Sequence, residues 1–185
     1  TRIKLQLAFI KDKDITNKLS EDINEMEKML NEYLQFTSSQ SIEKTEKFNL
    51  NQLIKETINK YENNNISSEI QEDIDMNGRK NLIQRCLNNL IDNGLKYGTK
   101  INIQLSKRKS NIILIIDDDG PGIPKEEHEN VFKPFYKINK SRGDSKSSVG
   151  LGLSIASDII RSHGGNITLE NSPIDGLRVK VFFPF

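Results

Sequence analysis

Asn89, Asn93 and Lys96 follow one another at spacings of four and three, so on a helix they form one polar stripe. At about 100° per residue, that stripe lies roughly 90° from the apolar face centred on Ile83, Leu90 and Gly94. It sits at the rim of a core, where polar side chains can line a cleft. Amide oxygens are hard ligands suited to Mg²⁺, which keeps several waters and completes its shell with nucleotide phosphates. Lys96 adds a point charge for the same phosphates. Taken alone, the stripe also reads as a solvated helix flank.

A second cluster, Asp117-Asp118-Asp119-Gly120-Pro121-Gly122-Ile123-Pro124, follows an apolar run. A strand ending in Asp-x-Gly-x-Gly can aim one carboxylate into a pocket while the glycines permit close backbone approach. Such a carboxylate can accept a hydrogen bond from an exocyclic amine such as that of adenine. A plain polar turn is the alternative. A calcium loop is disfavoured, because the EF-hand spacing and its downstream glutamate are absent. The third cluster, Val149-Gly150-Leu151-Gly152-Leu153, opens a helix, where free N–H groups and the helix dipole favour phosphate. It is neither a Walker loop, since no Gly-Lys-Ser/Thr follows, nor a dinucleotide fingerprint, since no strand precedes it.

Positioning these clusters requires particular elements. Leu82, Ile83, Cys86, Leu87, Leu90 and Ile91 predict a helix from about Arg79 to Tyr97, stopped at Gly98. Leu50, Leu53, Ile54 and Ile58 predict another from Asn49. A third, led by glycine, runs to about His163. Ile66 to Gln71 reads as a short strand, and Ile101, Ile103 and Leu105 alternate as in a strand with one buried face. Asn111 to Ile116 is a continuous apolar strand. Two last strands carry Ile167 and Leu169, then Val179, Val181 and Phe183. Residues 41–47 serve as a linker or a leading strand, and the stretch from Asn139 to Ser148 is polar. The expected fold is α+β: a two-layer sandwich of a mixed, mostly antiparallel sheet and three helices.

Residues 1–40 have a different pattern. Ile3, Leu7 and Ile10 form one apolar stripe; after Asp12-Lys13-Asp14, a second runs through Leu19, Ile23, Met26, Leu30 and Tyr33. Two such seams read as an antiparallel helical hairpin that pairs with a second copy in a four-helix bundle. A hairpin folded back on its own domain is the alternative.

The 185 residues suffice for one real core and a smaller appendage. With 27 basic and 26 acidic residues there is no net charge that would suggest nucleic-acid binding. The lone Cys86 reads as a small buried side chain in a reducing compartment. No apolar run reaches the roughly 20 residues of a membrane span.

In their order along the chain, the three clusters resemble the histidine kinase ATPase family. Asn89 to Tyr97 is similar to its asparagine box, Asp118 to Gly122 to its first glycine box, and Gly150 to Leu153 to its second. Phe132-Lys133-Pro134-Phe135-Tyr136 is similar to its phenylalanine box. The resemblance spans essentially the whole chain and implies a Bergerat-type fold over residues 45–185. It implies that residues 1–40 are part of a dimerisation and histidine-phosphotransfer hairpin, with the phosphoacceptor histidine before Thr1. Thr1 to Leu5 and Arg142 to Ser145 are similar to osmosensor members of the family.

The resemblance further implies ATP and Mg²⁺ as cofactors. Asp118 would recognise the adenine amine, with Gly120, Gly122 and Ile123 around it. Asn93 would be the principal Mg²⁺ ligand, with Asn89 a second candidate and Lys96 near the phosphates. Tyr97 would lie beside the nucleotide; Gly150, Leu151, Gly152 and Leu153 would meet the phosphates. Residues 136–149 would form the ATP lid, with Tyr136 at its start and Lys137 where relatives often carry a phosphate-contacting arginine. Two departures stand out: Ser148 replaces the usual first glycine of the second glycine box, and Leu177 replaces a threonine common after the final glycine. Expected partners are a second copy and a response-regulator receiver domain, on the cytoplasmic side of a bacterial inner membrane reached only through segments outside this chain.

Members that hydrolyse ATP place a glutamate, as general base, where this chain has Asn89. An amide cannot take up a proton at neutral pH, so transfer to a histidine is expected rather than hydrolysis. His128, in a polar segment read as a solvated helix, and His163, read as touching the last carbonyls of its helix, are not expected to be the acceptor. The chain should bind ATP without phosphorylating itself. A nucleotide-binding interaction module without turnover is the second reading, a related ATP hydrolase the third.

Overall fold

The computed structural model describes residues 13–40, 43–61, 65–70, 73–108, 110–138 and 150–184. They fall into two compact units: one holds α1 (Lys13–Gln40), the other the described residues from Glu43 onward. In the first unit the polar break falls at the helix start, placing Asp14 in the first turn, where the dipole favours an acid. Ile15, Leu19, Met26 and Leu30 are exposed along α1. The earlier stripe, Ile3, Leu7 and Ile10, lies outside the described residues.

The second unit runs β1 (Glu46–Asn49), α2 (Leu50–Ile58), β2 (Asn65–Ile70), β3 (Asp75–Gly78), α3 (Lys80–Tyr97), β4 (Lys100–Arg108) and β5 (Asn111–Asp118). After two short 3-10 turns come α4 (Gly152–Ser162), β6 (Asn166–Asn171) and β7 (Leu177–Pro184). The main sheet has the order β2-β4-β5-β7-β6, with β2 parallel to β4 and every other pair antiparallel. Its register lines up apolar rows across four strands. Ile103, Ile116, Val179 and Leu169 form one row; Leu105, Leu114, Val181 and Ile167 form the next. All eight are buried, as are the apolar stripes of α3 and α4 and, on α2, Leu50, Leu53 and Ile54 (Ile58 is half-buried), which completes the expected two-layer α+β sandwich.

Three local expectations change. The apolar run of β5 predicts a strand ending at Ile116, but pairing continues through Asp117 and Asp118, opposite Asn102 and Ile101. Residues 125–130 fold not as a solvated helix but as 3-10 turns, Lys125–Glu127 and Asn130–Phe132, in which Val131 alone is buried. A short run with one apolar anchor cannot hold an amphipathic helix. The strand β3 was not expected. It pairs with β1 in a two-stranded ribbon, and its Met76 faces Phe48 across that pair, both buried.

Asn49 caps α2, its side chain accepting from the Gln52 N–H at 2.8 Å. Gly98 ends α3 in an extended conformation (φ −114°), so left-handed freedom is not its role. A Cβ there would come within 2.6 Å of Asp119 Oδ1, and close approach is the reason for glycine.

Candidate nucleotide site

Helix α3 lies against β4 and β5 at Gly94, where a Cβ would meet Ile101 Cδ1 at 3.0 Å and Asp118 Cβ at 3.4 Å. The missing side chain lets the helix approach the strand end that carries Asp118. One turn on, the carbonyl of Tyr97 lies against Gly120, whose Cβ would meet it at 3.2 Å. At the other end of the stripe, Asn89 faces the start of α4, its carbonyl 3.7 Å from a Cβ built on Gly152. The fold thus joins all three clusters around the C-terminal half of α3.

Asp118 is buried, and its Oδ1 accepts two backbone bonds, from Gly120 N–H at 2.9 Å and Leu177 N–H at 3.1 Å. Both fall on the same oxygen, which fixes the carboxylate and directs its other oxygen elsewhere. Burial pushes its pKa above the ordinary carboxylate value; the two backbone bonds oppose that shift, and the neighbouring charges of Asp119 and Asp117 add to it. Gly176, which sequence reasoning passed over, lies against the Asp118 backbone and carboxylate so closely that no side chain could be accommodated. The departure at Leu177 costs this contact nothing, because its main chain makes the bond while its side chain is buried.

Asp119 is the second residue sequence reasoning missed. It accepts from Thr99 N–H at 2.6 Å, Lys100 N–H at 2.8 Å and the Thr99 hydroxyl at 2.8 Å, tying the exit of α3 to the glycine turn. Those bonds hold its pKa down at about 2. Glycine turn geometry is completed by Gly122 at φ +70°.

Asn89 and Asn93 are both half-buried on α3. The Asn89 side-chain nitrogen is buried with no hydrogen-bond partner, a donor pair at the rim where Gly152 opens α4. Lys96 Nζ lies 5.0 Å from the centroid of the exposed Tyr97 ring. Leu151 and Leu153 are buried and anchor the start of α4, and the Leu151 carbonyl accepts from Ile155 N–H and the Ser154 hydroxyl.

The phenylalanine-containing segment closes onto the second glycine pair. Phe135 N–H donates to the Gly150 carbonyl at 2.9 Å, with left-handed backbone at both residues (φ +65° and +75°). A Cβ on Gly150 would meet the Tyr136 carbonyl at 2.8 Å. The Tyr136 hydroxyl donates to Glu127 at 2.6 Å, and Asn130 donates to the same oxygen at 3.1 Å. Ile123 is half-buried, its carbonyl 3.0 Å from His128 Nε2. Lys137 is exposed. Residues 139–149, including Ser148 and most of the expected lid, lie outside the described residues. An open cavity of about 600 Å³ along β2 and β4, lined by Asn65, Ser67, Lys100, Asn102 and Ile174 among others, includes none of the motif residues.

Comparison with known proteins agrees with this geometry. Residues 78–185 match the family described as histidine kinase-, DNA gyrase B-, and HSP90-like ATPase. The sensor histidine kinase GtrS of Pseudomonas aeruginosa is 32% identical over all of this chain, which covers 38% of GtrS. The sensor histidine kinase CpxA of Escherichia coli is 37% identical over 58% of this chain and 24% of its own length. The chain therefore spans well under half of these relatives. Among solved structures, the catalytic domain of histidine kinase ThkA superposes with a TM-score of 0.65 at 29% identity, over 76% of this chain and 95% of that one. The Acinetobacter baumannii histidine kinase AdeS shares the fold, with a TM-score of 0.67 at 21% identity over 99% and 92% of the two chains. The similarity is to sensor kinases broadly, and the osmosensor-like segments Thr1 to Leu5 and Arg142 to Ser145 lie outside the described residues. On the family match and the motif order that the fold brings together, the chain belongs to the histidine kinase-, DNA gyrase B- and HSP90-like ATPases, as an ATP-binding domain of the sensor histidine kinase type.

Proposed function

We propose that this chain binds Mg²⁺·ATP and presents its γ-phosphoryl to a histidine supplied from outside these residues, from which phosphate passes to an aspartate of a response regulator. The observation that carries the reading is Asp118. Two backbone donors occupy one carboxylate oxygen, which supports a role for the other in accepting from the amine of adenine. Asn93 would hold Mg²⁺ through its amide oxygen, and the bound metal would neutralise phosphate charge. The unpaired amide nitrogen of Asn89 would donate to a phosphate oxygen, while its amide oxygen keeps Asn89 the second candidate for Mg²⁺. The α4 N-terminus, released from side-chain crowding at Gly150 and Gly152, supplies N–H donors and a favourable dipole. Catalysis would rest on positioning and charge neutralisation.

The hydrogen bonding of the two histidines supports an acceptor outside these residues. His163 uses both ring nitrogens, one toward the Ile159 carbonyl at 2.7 Å and the other accepting from Arg79 N–H at 3.1 Å. His128 Nε2 is engaged by the Ile123 carbonyl at 3.0 Å. Attachment to a bacterial inner membrane through segments outside this chain belongs to the same reading, as does pairing of α1 with a second copy; both are supported by the sensor-kinase identity of the relatives. Among the described residues, no helix is long and apolar enough to cross a membrane.

Asp118→Asn provides the test. Its oxygen would stay with Gly120 and Leu177, turning an NH₂ toward adenine, so ATP affinity should fall by about 10–100-fold in calorimetry. Full affinity in a folded Asp118→Asn protein would refute the site. Incubation of the chain with labelled ATP and a separate histidine-bearing hairpin should label the hairpin and not the chain. ATP binding without transfer would favour an interaction module; steady phosphate release without transfer would favour a hydrolase.

A further inference from the structure

Helices α3 and α4 run antiparallel and touch at three levels. Asn89 meets Gly152 at the nucleotide end, and Cys86 Sγ lies 3.9 Å from the Ala156 carbonyl midway. At the far end, His163 caps both helices at once. Its Nδ1 faces the Ile159 carbonyl at 2.7 Å, in the last turn of α4, and its Nε2 accepts from the N–H of Arg79, the N-cap of α3, at 3.1 Å. With one nitrogen donating and the other accepting, the ring is a neutral imidazole of a single tautomer.

Its surroundings hold that ring in place. Phe183 meets it edge-on with centroids 6.5 Å apart. Gly78 leaves it room, for a Cβ there would come within 3.1 Å of His163 Cδ2. Arg79 doubles the tie by reaching the Ser162 carbonyl at 3.0 Å and hydroxyl at 2.7 Å. Glu43 then anchors the next residues of α3, accepting from Asn81 N–H at 2.7 Å. The Arg79 side chain does not cap α3, so the imidazole acceptor, together with the Arg79 contacts to Ser162, ties the start of α3 to the end of α4.

We propose that neutral His163 is a positioning residue for nucleotide binding, setting the axial register of α3 against α4 and thereby the spacing between the asparagine stripe and the glycine-led start of α4. The proposal rests on the reading of these two helices as the nucleotide-binding pair. Protonation would convert Nε2 from acceptor to donor and set it against Arg79 N–H. Burial lowers the imidazole pKa; the bond to Ile159 raises it, while the charge of Arg79 lowers it and that of Glu43 raises it. The tie should therefore be complete at neutral pH and fail on acidification.

The test compares the full chain with His163→Gln and His163→Asn in ATP calorimetry from about pH 8 to about pH 5.5. Glutamine can keep an acceptor near Arg79 but cannot protonate. Asparagine keeps the donor toward Ile159 and loses the acceptor. The wild type should lose affinity on acidification about fivefold more than His163→Gln, the ionisation of ATP and of Asp118 being common to both. His163→Asn should bind more weakly across the range while keeping its helical circular dichroism. Parallel pH profiles for the wild type and His163→Gln, or wild-type affinity in His163→Asn, would overturn the proposal. Amide NMR of the ligand-free chain gives an independent arm: the Asn89 and Gly152 signals should follow the imidazole titration in the wild type and stay fixed in His163→Gln. Signals that ignore the titration overturn the register claim. A chain that fails to bind ATP at about pH 8 overturns the nucleotide reading instead, and the amide shifts still decide the register.

Discussion

Three consecutive aspartates end β5, and each meets a different environment. Asp117 is wholly buried and makes a two-pronged ion pair with Arg178, at 2.7 and 2.8 Å. Asp118 is fixed by two backbone donors, and Asp119 gathers three donors from Thr99 and Lys100. The strand's alternation separates the first two, and the turn after Asp118 frees the third. These environments have opposite consequences for pH. The Asp119 pKa lies at about 2, below its unfolded value, so its stabilisation is complete above the unfolded pKa and is lost as pH falls toward 2. Asp119→Ala should therefore lower the melting temperature at neutral pH and flatten its acid dependence, as followed by circular dichroism. Equal acid sensitivity in the variant would show that the three bonds contribute nothing. Asp118 has its pKa raised, so ionisation at neutral pH opposes folding; its charge is kept at a cost that suits a ligand-binding group.

Between elements, the pairing of β5 with β7 brings Arg178 directly opposite Asp117. Truncating Arg178 leaves a buried carboxylate without its partner, which costs about 3–5 kcal/mol. Arg178→Ala should show that loss in urea unfolding at neutral pH, and the double variant Asp117→Ala/Arg178→Ala should recover much of it. A double variant no more stable than the single would mean the ion pair is not what holds these strands. This contact also marks the limit of what could be read from sequence. Helix α3 was legible almost to the residue, because its apolar recurrence and Gly98 are local signals. The motif stretches that the fold brings together around α3 were legible too, because each is contiguous in sequence. Asp119 and Gly176 were not, since their roles depend on partners brought together only by the turn after β5 and the β6–β7 connection. Nor was β3, where Met76 is the one buried hydrophobe and pairing with β1 supplies the rest. His163 was read as touching its own helix end, which is correct, but its second bond reaches Arg79 across 84 positions.

At the scale of the molecule, every described motif residue belongs to the unit that begins at Glu43, which has its own apolar core. Among its described side chains, helix α1 buries none. Ile15, Leu19, Met26 and Leu30 are 38–65% exposed along it, at the four- and seven-residue spacings of a coiled-coil seam. A seam of that kind gains stability only by burial against another helix, and association with a second copy is the proposed solution. Charges placed in the seam should then disrupt assembly and leave the nucleotide site intact. Met26→Glu/Leu30→Glu should shift the sedimentation of the full chain from dimer to monomer, with ATP affinity within about twofold of wild type, as expected for non-coupled sites. A wild-type chain that sediments as a monomer at every concentration would refute the seam as an interface. A large change in ATP affinity would instead show that α1 and the catalytic unit are energetically linked, and that assembly state sets how the nucleotide is held.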